Sequence, residues 1–257
     1  MKIVAIIQAR MGSSRLPGKV LADVCGRPML HYVISRVRQA RRLSLIVVAT
    51  SDETTDDVVV RFCQTNDVPC FRGSRNDVLD RYYNAAKYFQ ADVIVRLTAD
   101  CPLLDPAIID KVVETFMAGQ FDYASNTQEP TYPDGLDTEV FTWKALERVW
   151  HEARVPSDRE HVSTYMIKNP GLFHIGSVKH DQDLSHLRLT VDEPRDLELI
   201  RQIYRHRPNK EDFGLNDIVS LFREHPEFNT INTGIARNEG YEKSLREDTL
   251  KGMEGKS

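Results

Sequence analysis

The sequence lacks the features that would place it among membrane, secreted or nucleic-acid-binding proteins. No apolar run approaches the roughly 20 residues of a membrane span, and the N-terminus lacks the pattern of a signal peptide. The four cysteines show no C-x-x-C spacing, so reduced thiols in a cytoplasmic protein are the simple prediction. The formal net charge of −4 argues against a general nucleic-acid binder. We therefore expect a cytoplasmic protein whose partners include neither a membrane nor a nucleic acid.

The sequence also lacks a Walker phosphate loop. The segment nearest to one is QARMGSSRLPGKVL, residues 8–21, where five residues rather than four separate Gly12 from Gly18. Val20 follows Lys19, so the hydroxyl that would bind magnesium is missing. Positive charge is nevertheless concentrated here, because residues 1–42 hold nine Lys and Arg against one acid and carry +8, while the remainder carries −12.

Two interpretations of the 8–21 loop stay open. It is either a tight surface turn with solvated cations, or a cradle whose backbone N–H groups and cations bind phosphate. We favour the cradle, because the loop directly follows an apolar run that reads as a buried strand. The residues assigned to the cradle are Gly12, Ser13, Ser14, Arg15 and Lys19, with Arg10 as a further cation at the strand end.

Apolar patterning predicts an α/β fold. Continuous apolar runs, typical of buried parallel strands, occur at 2–8, 45–50 and 92–97. Helical patterns follow these runs at 28–42, 54–65 and 77–89. The alternation predicts a parallel sheet covered by helices on both faces. Ligands of such sheets bind at the carboxyl ends of the strands, where the 8–21 loop begins.

After about residue 120 the pattern becomes mixed. Strands are predicted near 122–125, 137–142, 172–179 and 187–191, and helices at 143–153, 158–168, 194–206 and 215–224. We predict one domain over residues 1–233 and a polar C-terminal tail, 234–257, with five basic and five acidic side chains. The tail is expected to be mobile or to pack on a partner chain, and a homodimer is the assembly considered.

Two acids in RLTADCPLLDPAIID, residues 96–110, are predicted to have different roles. Pro106 fits the first position of a helix, which makes Asp105 the N-cap. Asp100 ends the preceding strand and has no cap to make, so it is a candidate metal ligand. Such an acid suits magnesium, which proteins bind largely through phosphates and water.

A parallel argument applies to RLTVDEPRDLELI, residues 188–200. Pro194 again suggests a helix start, which places Glu193 at the cap and Asp192 just before it. Asp192 is therefore the second candidate metal ligand. A capping role for Asp192 also stays open, because helix boundaries slip by a residue or two.

Two more stretches offer candidate contacts to a substrate. In PDGLDTEVF, strand alternation puts Asp137 and Glu139 on one face, although a half-buried strand with a wet face would look the same. In SDREHVSTY, Ser157 and Glu160 match the S-x-x-E capping box, which accounts for Glu160 without a function. Arg159 and His161 have no such explanation, and we keep His161 as a substrate contact.

Together these motifs resemble the cytidylyltransferases that make CMP-activated sugar acids, such as CMP-Kdo synthetase and CMP-acylneuraminate synthetase. IIQARMGSSRLPGKVLADVCGRPMLHYV is similar to their N-terminal phosphate-loop signature. LTADCPLLD is similar to their magnesium-binding segment, which more often reads G-D-E-P, and LTVDEPRDLE to their late acidic motif. Residues 1 to about 225 resemble the branch of spore-coat polysaccharide biosynthesis protein F, as does RNEGYEKSL near the C-terminus.

The resemblance implies a nucleotide-diphospho-sugar transferase fold, Rossmann-like, with a mixed, mostly parallel sheet and helices on both faces. It implies Mg²⁺ between Asp100 and Asp192. The residues that it implies for the triphosphate are Arg10, Ser13, Arg15 and Lys19. It places Arg72, Gly73 and Ser74 near the base and ribose, and Thr98 stands in the nucleotide site where the family frequently has glutamine.

The implied reaction is attack of an acceptor oxygen on the α-phosphorus of CTP with release of pyrophosphate, in surface polysaccharide or glycoconjugate biosynthesis. The predicted catalytic residues are Arg15, Lys19 and Asp100, and no residue stands out as a general base. The residues expected to meet an anionic acceptor are Asp137, Glu139, Arg159 and His161. Two other classes stay open. One is a glycosyltransferase of related fold, although TADCP lacks the D-x-D motif, and the other is a non-catalytic nucleotide-binding protein.

Overall fold

The computed structural model of the protein describes residues 1–207 and 212–254. The strands are β1 (Ile3–Gln8), β2 (Asp23–Val24), β3 (Arg27–Pro28), β4 (Leu45–Ser51), β5 (Cys70–Gly73), β6 (Val93–Thr98), β7 (Tyr123–Ser125), β8 (Glu139–Thr142) and β9 (Ile175–Ser177). The helices are α1 (Met29–Val37), α2 (Asp57–Thr65), α3 (Val78–Tyr88), α4 (Pro106–Gly119), α5 (Trp143–Glu152), α6 (Pro156–His161), α7 (Thr164–Lys168), α8 (Pro194–Arg205), α9 (Leu215–Glu224), α10 (Phe228–Ile231) and α11 (Glu239–Glu254). Single 3₁₀ turns occur at Lys19–Leu21 and Thr54–Asp56.

The main sheet has seven strands in the order β5-β4-β1-β6-β8-β7-β9. Strands β5, β4, β1 and β6 are mutually parallel, and β8 is antiparallel to both of its neighbours. The α/β fold with a mostly parallel sheet is therefore confirmed. The order places β1 between β4 and β6, so the loop after β1 opens between the carboxyl ends of two other strands.

The apolar strands bury both of their faces. Along β1, Ala5 and Ile7 belong to one apolar core, which includes α1, α4, α8 and α9. Val4 and Ile6 belong to a second core on the other face, formed with α3 and α5. Successive side chains of a strand point to opposite faces, so a continuous apolar run is what a sheet covered on both sides requires.

Most predicted elements occur within two or three residues of their expected ends, and the differences are informative. Residues 187–191 form no strand and contribute one isolated bridge, between Asp134 and Arg188. The helix predicted at 158–168 is split into α6 and α7, because Val162 adopts φ +60° and turns into the core. Strand β5 was not predicted; it is a four-residue edge strand that pairs on one side only.

The C-terminal tail differs from the expectation of a mobile segment or one packed on a partner chain. Residues Glu239–Glu254 form the 16-residue helix α11, which packs against α6 of the same chain. The division into a domain at 1–233 and a tail stays a prediction, and residues 255–257 of that tail lie outside the described residues. Within the described residues, no helix combines the length and apolar character needed to cross a membrane.

Asp105 caps α4 as predicted, and it also joins two helices. One carboxylate oxygen accepts the backbone N–H of Ala107 at 2.8 Å, and the other accepts the buried N–H of Leu215, at the start of α9, at 2.8 Å. Asp105→Ala therefore removes a cap, worth about 0.5–2 kcal/mol. It also leaves a buried N–H unpaired, which costs a further ~1–3 kcal/mol.

We expect Asp105→Ala to lower the melting temperature clearly while the folded protein keeps near-normal activity at low temperature, because Asp105 does not line the cavity described below. Asp52→Ala is the matched control, since Asp52 is exposed and its carboxylate has no hydrogen bond or ion pair among the described residues. Thermal melts and initial rates measure both effects. A stable but inactive Asp105→Ala variant would contradict the structural role.

Candidate active site

A cavity of about 770 Å³ opens at the carboxyl ends of β1 and β6. Its wall includes the 8–21 loop, the residues that follow β6, the end of α6 and the start of α11. Many of the predicted site residues meet here: Arg10, Gly12, Ser13, Ser14, Arg15, Lys19, Thr98, Asp100, His161 and Asp192. Residues separated by up to 182 positions in the sequence therefore share one cavity.

Asp56 holds the start of the 8–21 loop in place. Its buried carboxylate accepts the backbone N–H of Met11 at 2.8 Å, and it also accepts bonds from Thr50 and from the N–H and hydroxyl of Ser51. Burial disfavours the charged form, but these hydrogen bonds outweigh it and lower the pKa of Asp56. No sequence motif singles out Asp56, although it follows β4 at the same edge of the sheet.

The loop leaves backbone donors available to an anion. The N–H groups of Gly12, Ser14 and Arg15 have no acceptor among the described residues, whereas Ser13 N–H donates to Met11 O at 3.0 Å. Gly18 then turns the chain at φ +74°, in the region that favours glycine, and directs Lys19 inward. Three unpaired N–H groups beside an arginine match the phosphate cradle better than a plain surface turn.

Lys19 lies between the two acids that were assigned to magnesium. Its Nζ is 2.8 Å from Asp100 Oδ2, 2.9 Å from Asp192 Oδ1 and 2.7 Å from the carbonyl oxygen of Val191. The Lys19 side chain is only 9% exposed. Burial disfavours the ammonium, but the two carboxylates outweigh it and raise the pKa of Lys19. The amine is therefore charged at neutral pH.

The two acids are held at this point by different elements. Burial disfavours ionisation of Asp100, but the Lys19 ammonium outweighs this effect and lowers the pKa of Asp100 to about 2. Asp192 also binds Arg188 on its other oxygen at 2.9 Å. Glu193, not Asp192, is the N-cap of α8, which decides the alternative that the sequence left open.

Arg15 lies at the mouth of the cavity and bridges two acids. Its guanidinium is 3.0 Å from Asp192 and 2.8 Å from Glu239 of α11. Arg10 forms a 3.2 Å ion pair with Glu160 on the opposite side. The loop cations are therefore neutralised by carboxylates of the chain itself.

The capping box predicted at Ser157 and Glu160 is wrong. Helix α6 begins at Pro156 with Val155 as its N-cap, so Ser157 lies inside the helix and makes no capping bond. Glu160 instead lines the cavity, where it pairs with Arg10. The sequence motif matched, but the proline that starts the helix lies one residue before the serine.

His161 lines the cavity and contacts α11. Its Nε2 is 3.0 Å from the hydroxyl of Ser244, and its ring packs edge-on against Tyr241. Burial, with a further contribution from Arg96, lowers the pKa of His161 to about 4. The imidazole is therefore neutral near pH 7 and offers either a donor or an acceptor to a ligand.

The segment assigned to the base and ribose is displaced from the cavity. Arg72 pairs with Asp57 and donates to backbone carbonyls, Gly73 belongs to β5, and the hydroxyl of Ser74 accepts the N–H of Asp77. The residues of this region that line the cavity are Arg75, Asn76 and Arg81, none of which belongs to the predicted site.

Three of the four predicted acceptor residues also lie outside this cavity. Asp137 pairs with Arg237 at 2.8 Å, and Arg159 binds Asp77 at 2.6 Å. Glu139 is 6% exposed, and its carboxylate accepts hydrogen bonds from Arg96, Tyr123 and Ser163. Of the predicted acceptor residues, His161 lines the cavity. Strand alternation correctly predicted that Glu139 lies on the polar face of the strand. Side chains from other elements cover that face, so Glu139 does not reach the cavity.

The comparisons with known proteins identify the family. A family model described as cytidylyltransferase matches residues 4–220, which include the 8–21 loop, Asp100 and Asp192. The chain belongs to the cytidylyltransferase family. It is therefore a CTP-dependent nucleotidyltransferase, as the resemblance implied.

Relatives of the family support the same assignment. The chain is similar to a solved cytidylyltransferase from Leptospira borgpetersenii, with 35% identity and a TM-score of 0.87 over 92% of this chain and 100% of that one. It is 32% identical to spore coat polysaccharide biosynthesis protein SpsF of Bacillus subtilis over 88% of this chain and 95% of that protein. It is 30% identical to 8-amino-3,8-dideoxy-manno-octulosonate cytidylyltransferase of Shewanella amazonensis over 80% and 88% of the two chains.

The residues present fit a divalent cation of the kind expected for this cytidylyltransferase. No group of three or more His, Cys, Asp or Glu among the described residues is arranged to hold a metal. Asp100 and Asp192, however, converge on one cation, the Lys19 ammonium. Magnesium commonly takes only one or two carboxylates from the protein and fills its other positions with phosphate oxygens and water. The two acids therefore provide a suitable donor set.

Proposed function

We propose that this cytidylyltransferase transfers CMP from CTP to a sugar acid or a similar anionic acceptor, with magnesium, and releases pyrophosphate. An acceptor oxygen forms a bond to the α-phosphorus, and the bond from that phosphorus to the bridging oxygen of the β-phosphate breaks. Pyrophosphate leaves with the bonding electrons, and the proton of the acceptor hydroxyl passes to solvent water. The product would serve surface polysaccharide or glycoconjugate biosynthesis.

The observation that carries this proposal is the cluster of Lys19, Asp100 and Asp192 beside the unpaired N–H groups of Gly12, Ser14 and Arg15. The N–H groups and Arg15 bind the phosphates, and Lys19 neutralises charge that develops as pyrophosphate leaves. Asp100 and Asp192 would hold magnesium, which supplies further charge neutralisation to the phosphates when bound. His161, neutral and facing the cavity, contacts the acceptor.

This chemistry depends on positioning more than on a covalent role for the protein. Holding the acceptor oxygen in line with the departing pyrophosphate removes much of the entropic cost of the reaction. The sugar-acid acceptor is supported by the names of relatives, among them the Shewanella amazonensis enzyme. The cytoplasmic location and the homodimer stay predictions.

The test is a panel of CTP, ATP, GTP and UTP against sugar acids and phosphorylated or phosphonate acceptors, with pyrophosphate release as the readout. We expect release from CTP in preference to the other three, dependent on the acceptor, abolished by EDTA and restored by added magnesium. Release only from another nucleotide would contradict the proposal. Transfer of sugar from an intact nucleotide-sugar would instead favour the glycosyltransferase interpretation.

A further inference from the structure

Helix α11 forms part of the cavity wall, although it lies beyond the residues matched by the family model. Glu239, Gly240, Lys243 and Arg246 line the cavity. Their spacing of three to four residues places the three charged side chains on one face of the helix. The family model ends at residue 220, so this wall is an addition to the part of the chain that defines the family.

Contacts on several sides hold α11 in this position. Ser244 bonds His161 at 3.0 Å, and Asp248 accepts the backbone N–H of Ser157 at 3.2 Å. The Tyr241 ring packs edge-on against that of His161, with centroids 5.1 Å apart. Glu239 reaches across the cavity to Arg15 at 2.8 Å. These contacts leave Lys243 and Arg246 exposed at the cavity.

The cavity carries more positive than negative charge. Seven Lys and Arg line it against four Asp and Glu, and all four of those acids are paired with Arg10, Arg15 or Lys19. Within the described part of the chain, the one ion-pair contact of Lys243 is to Glu247, at 3.8 Å. Arg246 has no ion-pair partner among the described residues. Uncompensated cations that face a cavity favour an anionic ligand.

We propose that Lys243 and Arg246 bind the terminal phosphates of CTP, an assignment that rests on the proposed function. Their helix face begins at Glu239, whose carboxylate already contacts Arg15 as an anion would. A helix rises 1.5 Å per residue, so Lys243 lies about 6 Å and Arg246 about 10 Å along the axis from Glu239. A triphosphate bound at Arg15 displaces Glu239 and brings its β- and γ-phosphates to this face.

The test uses the double variant Lys243→Met with Arg246→Gln. Calorimetric titrations with CTP and with CMP, each with magnesium and without acceptor, separate the terminal phosphates from the rest of the nucleotide. We expect the dissociation constant for CTP to rise about tenfold or more and that for CMP to change less than about twofold, because only CTP has the phosphates contacted. Lys144→Met with Arg223→Gln removes two exposed cations elsewhere and should change neither value.

Further measurements distinguish this proposal from other causes of weaker CTP binding. The conservative variant Lys243→Arg with Arg246→Lys should recover most of the CTP affinity, and thermal melts report whether α11 stays docked. Unchanged CTP affinity in the double variant, or equal weakening for CTP and CMP, overturns the subsite. A rise confined to the KM of the acceptor overturns it too, since the cations would then serve the acceptor. Failure of the wild type to bind CTP would instead contradict the proposed function.

Discussion

Lys19→Ala is expected to reduce kcat/KM for pyrophosphate release by about 10²–10³-fold, the loss typical of a group that stabilises charge developing in the transition state. Lys19 Nζ is buried and contacts Asp100 and Asp192, so no solvent cation substitutes freely for it. The matched control is Arg41→Ala, which removes the same charge from an exposed position. An exposed charge of this kind is worth well under ~1 kcal/mol.

Two measurements distinguish a catalytic from a structural role for Lys19. Thermal melts should show that the variant still folds, although loss of the ammonium leaves two facing carboxylates and lowers stability. Initial rates with CTP and acceptor should then differ strongly between Lys19→Ala and Arg41→Ala. Equal kinetic losses in the two variants would show that the 8–21 loop is not a specific cradle.

Asp100→Asn is expected to lower turnover by about 10²-fold or more, because the amide keeps the shape but removes one of two charges offered to the cation. A magnesium titration should show half-saturation at a higher concentration than in the wild type. From the sequence, two unbridged carboxylates would repel by on the order of 1 kcal/mol, and the variant would gain stability without metal.

The structure reverses the expected effect of Asp100→Asn on stability. The Lys19 ammonium already bridges the two acids, so Asp100→Asn replaces a charged acceptor of this ammonium with a neutral one and should cost about 1 kcal/mol. Thermal melts without magnesium test whether Asp100→Asn lowers or raises the stability. Asp105→Ala, five residues away, should also lower stability but should retain activity, so activity separates the two variants. An active Asp100→Asn variant would contradict the metal-ligand assignment.

The sequence was most informative where local rules and function agree. The apolar run of β1 predicted a strand buried on both faces, and Pro106 located the cap at Asp105. Acids at the carboxyl ends of predicted strands were sufficient to select Asp100 and Asp192, which meet at one ammonium. These inferences depend on backbone geometry within a few residues, which the sequence encodes directly.

The errors arise where a distant partner decides the role of a side chain. Glu160 fits a capping motif, yet its carboxylate forms an ion pair with Arg10, 150 positions away. Glu139 lies on the expected strand face, but Arg96, Tyr123 and Ser163 fill that face. Neither partner is visible in local spacing, because the contacts depend on how β6, β7 and α6 pack together.

By itself, the sequence determined the α/β class, the cation-rich loop after β1 and the choice of Asp100 and Asp192, because apolar periodicity and the placement of turns follow from local backbone geometry. Only the tertiary structure decided which cation lies between those acids and which helix closes the cavity. Lys19 meets Asp192 across 173 positions, and α11, a polar segment with weak apolar patterning, docks through contacts to α6 and Arg15. Such contacts depend on the relative placement of whole elements, which no single stretch of sequence specifies.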